Sequence, residues 1–422
     1  MIQSVAANVY FVAVLAALLI DYAVRTTADV MSLRSLWKGL PESLRGVYDE
    51  SQYEASQRYA QASTNVEIIE RTTLLAVVLG FWFLGGFEWL DEIIRATVSS
   101  VLPRGLLYLG AVVIGYAALS LPFDAYRTFL LESRFGFNRT SLCTFLSDRI
   151  KALALFVVIG GVLAAIIVST FMWLGSLAWL FCLGAVIIFI LLTQAVAPIV
   201  ILPLFNRYTP MPEGELRNAV LAYASSVEFP VQDVYVIDGS RRSSRANAFF
   251  TGLGRHRRIA LFDTLIESHS VKGLIAVLAH EAGHYKLGHI RKATAATILH
   301  AAILLALLTF FLDQPGLFRA FGVSGTPVYV GLVLFTLLYT PAETALSMVF
   351  NLVSRRHEYE ADRFAVDTTH DSVALADALR KLSADNLSNP HPHRFQVLLN
   401  YSHPPLAMRL ESIEHRGLAA GH

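Results

Sequence analysis

The residues best suited to chemistry in this chain are His280, Glu281 and His284, spaced as His-Glu-Ala-Gly-His in an apolar stretch that begins at Gly273. In an α-helix, residues four apart stand one turn above each other on the same face, so both imidazoles can reach a single zinc ion. Glu281 then projects beside the metal, where its carboxylate can take a proton from an attacking water. Composition limits the weight of the pattern by itself. With 13 His and 33 Asp plus Glu in 422 residues, a chance match is expected in roughly one such chain per hundred.

A catalytic zinc normally has three protein ligands and keeps a fourth position for water. The strongest candidate for the third is Glu358, in Ser354-Arg-Arg-His-Glu-Tyr-Glu-Ala-Asp362. Asp362 follows one helical turn later, where it can hydrogen-bond a ligating histidine and fix its tautomer. The plainer alternative for this segment is an ordinary charged helix beside the membrane. What favours the ligand is that both segments adjoin an apolar span on the same expected side. His289 comes five residues after His284, a turn of roughly 500°, which takes it off the ligand face and makes it a helix-end polar residue. His300 and Glu343 fall inside apolar spans, where ionisable groups are costly. Two readings stay open for them: they line a wet cavity, or they form a buried pair.

The elements that must position these residues are mostly membrane helices. The chain is 55% hydrophobic and only 16% charged, with a mean hydropathy of +0.51, too apolar for a soluble protein of this size. A net charge of +1 argues against nucleic-acid binding, which needs a concentrated basic excess. The only cysteines, Cys143 and Cys182, supply neither a disulfide framework nor a thiolate zinc site. Stretches able to cross a hydrocarbon core of about 30 Å lie near 8–25, 72–90, 105–124, 151–173, 176–204, 292–312 and 327–352, about seven helices. The first lacks the flanks of a cleaved leader and reads as a retained span. The fourth and fifth read as a hairpin about Gly175.

Basic residues such as Arg34, Arg139, Arg207 and Arg258 gather in alternate connections, and the opposite set holds little beyond Arg95, Arg104 and Arg319. By the positive-inside rule, residues 205–291 and the C-terminal tail face the cytoplasm. This divides the chain into residues 1–204 with five membrane helices, 205–291 as the metalloprotease insertion, 292–353 with two more helices, and 354–422 carrying the third ligand. Within the insertion, the pattern predicts an amphipathic helix over Glu213–Phe229 and a strand over Val231–Ile237. Strands over Ala246–Phe250 and Ile259–Phe262 follow, and then a helix over Val271–Leu287.

With these residues in place, the chain resembles the type I CAAX prenyl proteases, the Ste24-like branch of the membrane-bound M48 zinc metallopeptidases. Beside the zinc motif, the stretches that carry the resemblance include Glu132–Thr140, Phe205–Pro210, Asp238–Gly252 and Arg258–Asp263. Ser354–Asp362, Asp385-Asn-Leu387 and Tyr401-Ser-His-Pro-Pro405 with Arg409 complete the set, all in the same order. The resemblance implies a mainly α, polytopic membrane protein: about seven transmembrane helices form a barrel around a water-filled chamber, beside a zincin-like metalloprotease unit with a small β-sheet. It implies that His280, His284 and Glu358 bind one Zn2+ per chain and that Glu281 activates water. It further implies that Asn247 and Ala248 belong to an edge strand that pairs with substrate, and that His403 and Arg409 steady the oxyanion. Arg245 and Ala246 depart from the more polar run of eukaryotic members. Together with the Ala-rich composition, this sets the expectation of a bacterial inner-membrane protein, or of the endoplasmic reticulum membrane if the source is eukaryotic.

The activity expected is hydrolysis of peptide bonds in membrane-associated peptide or protein substrates, prenylated CAAX segments among them. The bilayer is the other partner, and nucleic acid is not one. Two alternatives come from the same residues: an HtpX-like quality-control protease, and a transporter in which the His-Glu-x-x-His run is incidental.

Overall fold

The computed structural model describes residues 7–40, 44, 46, 48–231, 233–245, 248–251 and 258–420. In chain order, the helices of the membrane half are α1 (Val9–Ser35), α2 (Glu50–Phe83), α3 (Gly86–Thr97), α4 (Val101–Tyr126), α5 (Leu142–Leu155), α6 (Gly161–Leu174) and α7 (Ala178–Val196). The insertion follows with β1 (Tyr208–Pro210), α8 (Glu215–Ser226), β2 (Asp233–Ile237), β3 (Ala248–Thr251), β4 (Arg258–Phe262) and α9 (Val271–Lys286). The chain ends with α10 (His289–Leu312), α11 (Val328–Thr369), α12 (Ser372–Asp385), α13 (Arg394–Asn400) and α14 (Leu406–Ala420).

The membrane helices close into a ring. α1 packs on α2, α2 on α4, α4 on α6, α6 on α7, α7 on α10, α10 on α11, and α11 returns to α1. Among the described residues, five helical runs are long and apolar enough to cross a membrane, or six if α2 and α3, bent by 64°, count as one span. Seven were expected, and the difference lies in Leu142–Phe205. This run of 64 residues counts as a single helix but would measure about 96 Å if straight. It reverses at Gly175, and α6 and α7 pack on each other as the expected hairpin.

The ring helices bury little of their apolar surface on one another, although α11 also packs on α4 and α6. Only 6% of the most apolar window of α4 is buried, and likewise in the α5–α7 run, whereas a filled bundle would bury a stripe of each helix. Polar residues on α1, α2 and α11 pair with each other: Arg25 donates to Asp21 at 3.0 Å and to Thr344 at 2.6 Å, and Arg71 donates to Asp29 at 2.5 Å. A cavity of about 740 Å³ is lined by Tyr59, Glu67, Arg71, Arg245, Asn386 and Tyr401 among others. His300 and Glu343 pair, Nε2 to Oε2 at 3.1 Å, with Tyr339 Oη 3.2 Å from the same nitrogen, but Glu343 has a side chain 49% exposed, so the pair is not a buried one.

An aromatic core shuts one end of the ring. Trp82 stacks on Phe321 with centroids 4.3 Å apart, and its indole donates to the Ala320 carbonyl at 2.8 Å. Tyr108 and Tyr329 are fully buried beside them, and the Tyr329 hydroxyl donates to Asp91 at 2.6 Å.

The other end carries the soluble unit. Its sheet has the order β1-β2-β4-β3, antiparallel between β1 and β2, parallel between β2 and β4, and antiparallel between β4 and β3. Val234, Ile259, Leu261, Leu265, Leu274 and Leu375 share one buried core there, each contributing about 1.5–3 kcal/mol when fully buried. Leu44 and Tyr48 from the first connection join it. At 42 residues, α11 is about 63 Å long, twice the thickness of a hydrocarbon core. Its apolar first half closes the ring, and its polar continuation runs on into the soluble unit.

Candidate active site

The His-Glu-x-x-His run lies in the second half of α9, whose first turn is capped by Ser270 accepting from the Gly273 amide at 3.2 Å. α9 packs along the polar part of α11, and Gly283 sets how closely. A β-carbon there would stand 3.1 Å from the Ala361 Cα and 3.1 Å from the Phe364 Cβ. This contact places the face bearing His280 and His284 directly opposite Glu358 and Asp362.

Three side chains converge. His280 Nε2 and His284 Nε2 are 3.2 Å apart. Glu358 Oε1 is 3.2 Å from His284 Nε2, and its Oε2 is 3.4 Å from His280 Nε2. Zinc bonds of about 2.0–2.1 Å put the corners of a tetrahedral site about 3.3–3.4 Å apart, so the three groups already have the spacing of a zinc tripod. Glu358 Oε2 is buried with no close hydrogen bond, only His280 Nε2 at 3.4 Å and Arg409 Nη1 at 3.6 Å beside it, long contacts that leave a carboxylate oxygen in want of a cation. Two nitrogens and one carboxylate oxygen are a donor set suited to zinc.

The surroundings hold the tripod. Asp362 Oδ1 lies 2.8 Å from His280 Nδ1, and Arg409 of α14 donates to both Asp362 oxygens, Nε at 2.9 Å and Nη2 at 2.6 Å. The remaining guanidinium nitrogen, Nη1, is 3.6 Å from Glu358 Oε2. Burial opposes the charge on His280, but the hydrogen bonds to Asp362 and then Glu358 outweigh it and raise its pKa to about 9.

One side of the site is open. Glu281 is half-buried, and His403 has a side chain 64% exposed, with Nε2 3.4 Å from Glu358 Oε1. The turn carrying His403 is pinned from α11, where Arg355 donates to the carbonyls of Val397, at 2.8 Å, and of Tyr401. β3 ends the sheet order as an edge strand and packs against α9. Ala248 opens that strand opposite Leu261; Asn247 lies outside the described residues.

The structure therefore brings together His280, His284, Glu358, Asp362, Arg409 and His403 from three regions of the chain. Sequence reasoning missed His289 as a neighbour. It is not one of the three convergent ligands, but it is buried, with Nδ1 3.0 Å from Nδ1 of His284. The reason is Gly288, whose φ of +69° ends α9 and starts α10 in a new direction. A helical wheel continued past that residue puts His289 on the wrong side. Gly288 was the signal, since glycine directly after a helix marks a left-handed stop.

A His-His-Glu cluster spaced to hold a metal, at one end of a ring of membrane helices, is the arrangement of a membrane-embedded zinc metalloprotease. The comparisons carry the assignment further. Residues 31–207 match the family model described as CAAX prenyl protease N-terminal, five membrane helices, and residues 210–417 match peptidase family M48. The chain is 33% identical to a CAAX prenyl protease 1 homolog of Arabidopsis thaliana, over 94% of this chain and 96% of that one. It is 32% identical to CAAX prenyl protease 1 of Saccharomyces cerevisiae, over 89% and 88% of the two chains. The crystal structure of S. mikatae Ste24p superposes with a TM-score of 0.88 at 30% identity, covering 96% of this chain and 99% of that one. The chain belongs to peptidase family M48, in its CAAX prenyl protease branch. It is an integral membrane protein whose substrates are peptides or proteins, and the transporter and HtpX-like alternatives are not favoured. The relatives named here are a plant protein and yeast proteins, and they lend no support to a bacterial source.

Proposed function

We propose that the chain cleaves membrane-associated polypeptides near a C-terminal prenylated CAAX segment, using one Zn2+ held by His280, His284 and Glu358. The observation that supports this most directly is the convergence of the three groups, the two Nε2 atoms 3.2 Å apart and a Glu358 oxygen 3.2 Å from one and 3.4 Å from the other, spacing that suits a tetrahedral zinc. When bound, zinc polarises the scissile carbonyl and makes water more acidic. Glu281 accepts the proton of the attacking water on its carboxylate and returns it to the leaving amide nitrogen. Asp362 holds His280 through Nδ1, and Arg409 holds Asp362. His403, with Arg409 Nη1, offers donors to the developing oxyanion. Asn247 and Ala248, the latter opening the edge strand β3, are assigned to aligning an extended substrate backbone.

The prenylated substrate is carried over from the relatives named CAAX prenyl protease 1. A site at the junction of membrane helices and a polar unit suits a substrate with one lipid-like end and one peptide end. Charge asymmetry among the connections supports a site on the cytoplasmic side, of the endoplasmic reticulum in a eukaryote or of the inner membrane in a bacterium. The test is metal content and cleavage of a farnesylated CAAX peptide, beside Glu281→Ala. The expected result is one zinc in both proteins and turnover in the wild type alone. Zinc without cleavage of this peptide removes the prenylated substrate, and absence of zinc removes the proposal.

A further inference from the structure

His289 and Glu360 stand outside the three ligands yet extend the contacts of one of them. His284 turns Nε2 toward His280 and Glu358, 3.2 Å from each. Its other nitrogen, Nδ1, is 3.0 Å from Nδ1 of His289. The far nitrogen of His289, Nε2, is 3.1 Å from Oε2 of Glu360. His289 is only 4% exposed and lies flat on His357, with centroids 4.0 Å apart and planes 10° from parallel. Arg356 donates to the second oxygen of Glu360 at 3.0 Å, which fixes that carboxylate from outside.

Counting protons decides what this chain of contacts does. A neutral imidazole that gives its Nε2 lone pair to a metal keeps its one proton on Nδ1. Two nitrogens 3.0 Å apart hold one proton between them, so His289 must accept at Nδ1 and carry its own proton on Nε2. From there it donates to Glu360. We propose that His289 and Glu360 are positioning residues for His284, a relay that fixes its tautomer and ring angle as Asp362 does directly for His280. This rests on the reading of His284 as a zinc ligand.

The same groups suggest a rival use. His289, His357 and Glu360 each place one ligand atom within 4.8 Å of the others, the composition of a second metal centre. Two features oppose it. Near-parallel stacked rings send their in-plane lone pairs side by side, where they do not converge on one ion. A metal on Nε2 of His289 would also move that ring's proton to Nδ1, against the proton of His284 across 3.0 Å.

The experiment uses the full chain in detergent and measures zinc affinity by competition with a chromophoric chelator, together with the visible spectrum of the Co2+-loaded protein. His289→Phe keeps a ring stacked on His357 but removes the acceptor. It is expected to weaken zinc binding about 10- to 100-fold and to shift the cobalt bands. His289→Asn, whose amide oxygen restores an acceptor beside His284, recovers most of the affinity. Glu360→Ala, at a half-exposed position that folding tolerates, weakens binding about 10-fold. Wild-type affinity in His289→Phe overturns the relay. So does a second equivalent of zinc in the wild type that His289→Phe abolishes. His284→Ala separates the two readings: if it still takes up a full equivalent of zinc, the assignment of His284 as ligand fails instead.

Discussion

Gly283 lies against Ala361 so closely that a β-carbon at position 283 would come within 3.1 Å of the Ala361 Cα and 3.2 Å of its carbonyl oxygen. Two of the three nearest atoms are backbone and the third is the Phe364 Cβ, none of which can swing away. The glycine inside the His-Glu-x-x-His run therefore sets the spacing between the helix that bears two histidines and the helix that bears Glu358. Gly283→Ala should push these helices apart by a few tenths of an ångström and cost about 1–3 kcal/mol by overpacking. A drop in thermal stability, with faster loss of zinc to a chelator, is the expected outcome. Unchanged zinc retention would mean that the tripod tolerates the displacement.

Asp362 is where the two sides of the site meet. Its carboxylate takes both donors of Arg409 and the Nδ1 contact of His280 while almost wholly buried. Asp362→Asn keeps the shape and removes the charge, leaving a buried guanidinium without its counter-ion, a change that costs about 3–5 kcal/mol in comparable pairs. Zinc affinity should fall about 10- to 100-fold as His280 loses its orienting acceptor. Equilibrium dialysis against zinc buffers measures this, and thermal unfolding of the metal-free protein reports the stability loss separately.

Much of this site could be read before the fold was known, and the limits have physical causes. The α9 helix was predicted over Val271–Leu287 and is found over Val271–Lys286, because capping and apolar spacing are local properties. The pairing of β3 with β4 was also visible in two short β-prone runs. β1 was missed, since Tyr208–Pro210 is three residues long and carries no alternation. Leu44 and Tyr48 joined the soluble core with no periodic signal to announce it; the Tyr48 hydroxyl is held by Ser383 of α12, far along the chain. The closure of the ring by α1 on α11 is likewise a tertiary fact that hydropathy does not encode. Arg409 was expected at the oxyanion, yet two of its nitrogens are engaged by Asp362, a partner that spacing could not reveal.

His280 predicts how metal uptake depends on pH. In the metal-free protein, burial disfavours its charge, but the hydrogen bonds to Asp362 and Glu358 prevail and raise its pKa from 6.5 to about 9. Near neutral pH the ring is therefore protonated, and zinc must displace that proton. Affinity should rise up to about tenfold per pH unit below about pH 9 and level off above it for this group. Stability of the metal-free protein has the opposite sign. The raised pKa contributes stability fully present below about 6.5 and lost as pH rises through about 9. Chelator competition and thermal unfolding across that window give both slopes, and a flat affinity profile would show that His280 carries no proton in the free site.

His403 and Arg409 should separate when each is removed. His403 is exposed and touches the site only through Glu358 Oε1 at 3.4 Å, so His403→Ala should leave zinc content and stability close to wild type. Its effect should fall on kcat, by about 10²–10³-fold if the ring donates to the oxyanion. Arg409 is 8% exposed and bound to Asp362 through two nitrogens. Arg409→Ala should therefore lower stability by about 3–5 kcal/mol and release zinc as well. Arg409→Lys offers one point charge in place of the planar fork and should recover only part of the zinc affinity. Measuring zinc content, unfolding and kcat on the three variants distinguishes the roles. Equal loss of zinc in His403→Ala and Arg409→Ala would make His403 part of the support for the metal and leave the oxyanion without its proposed exposed donor.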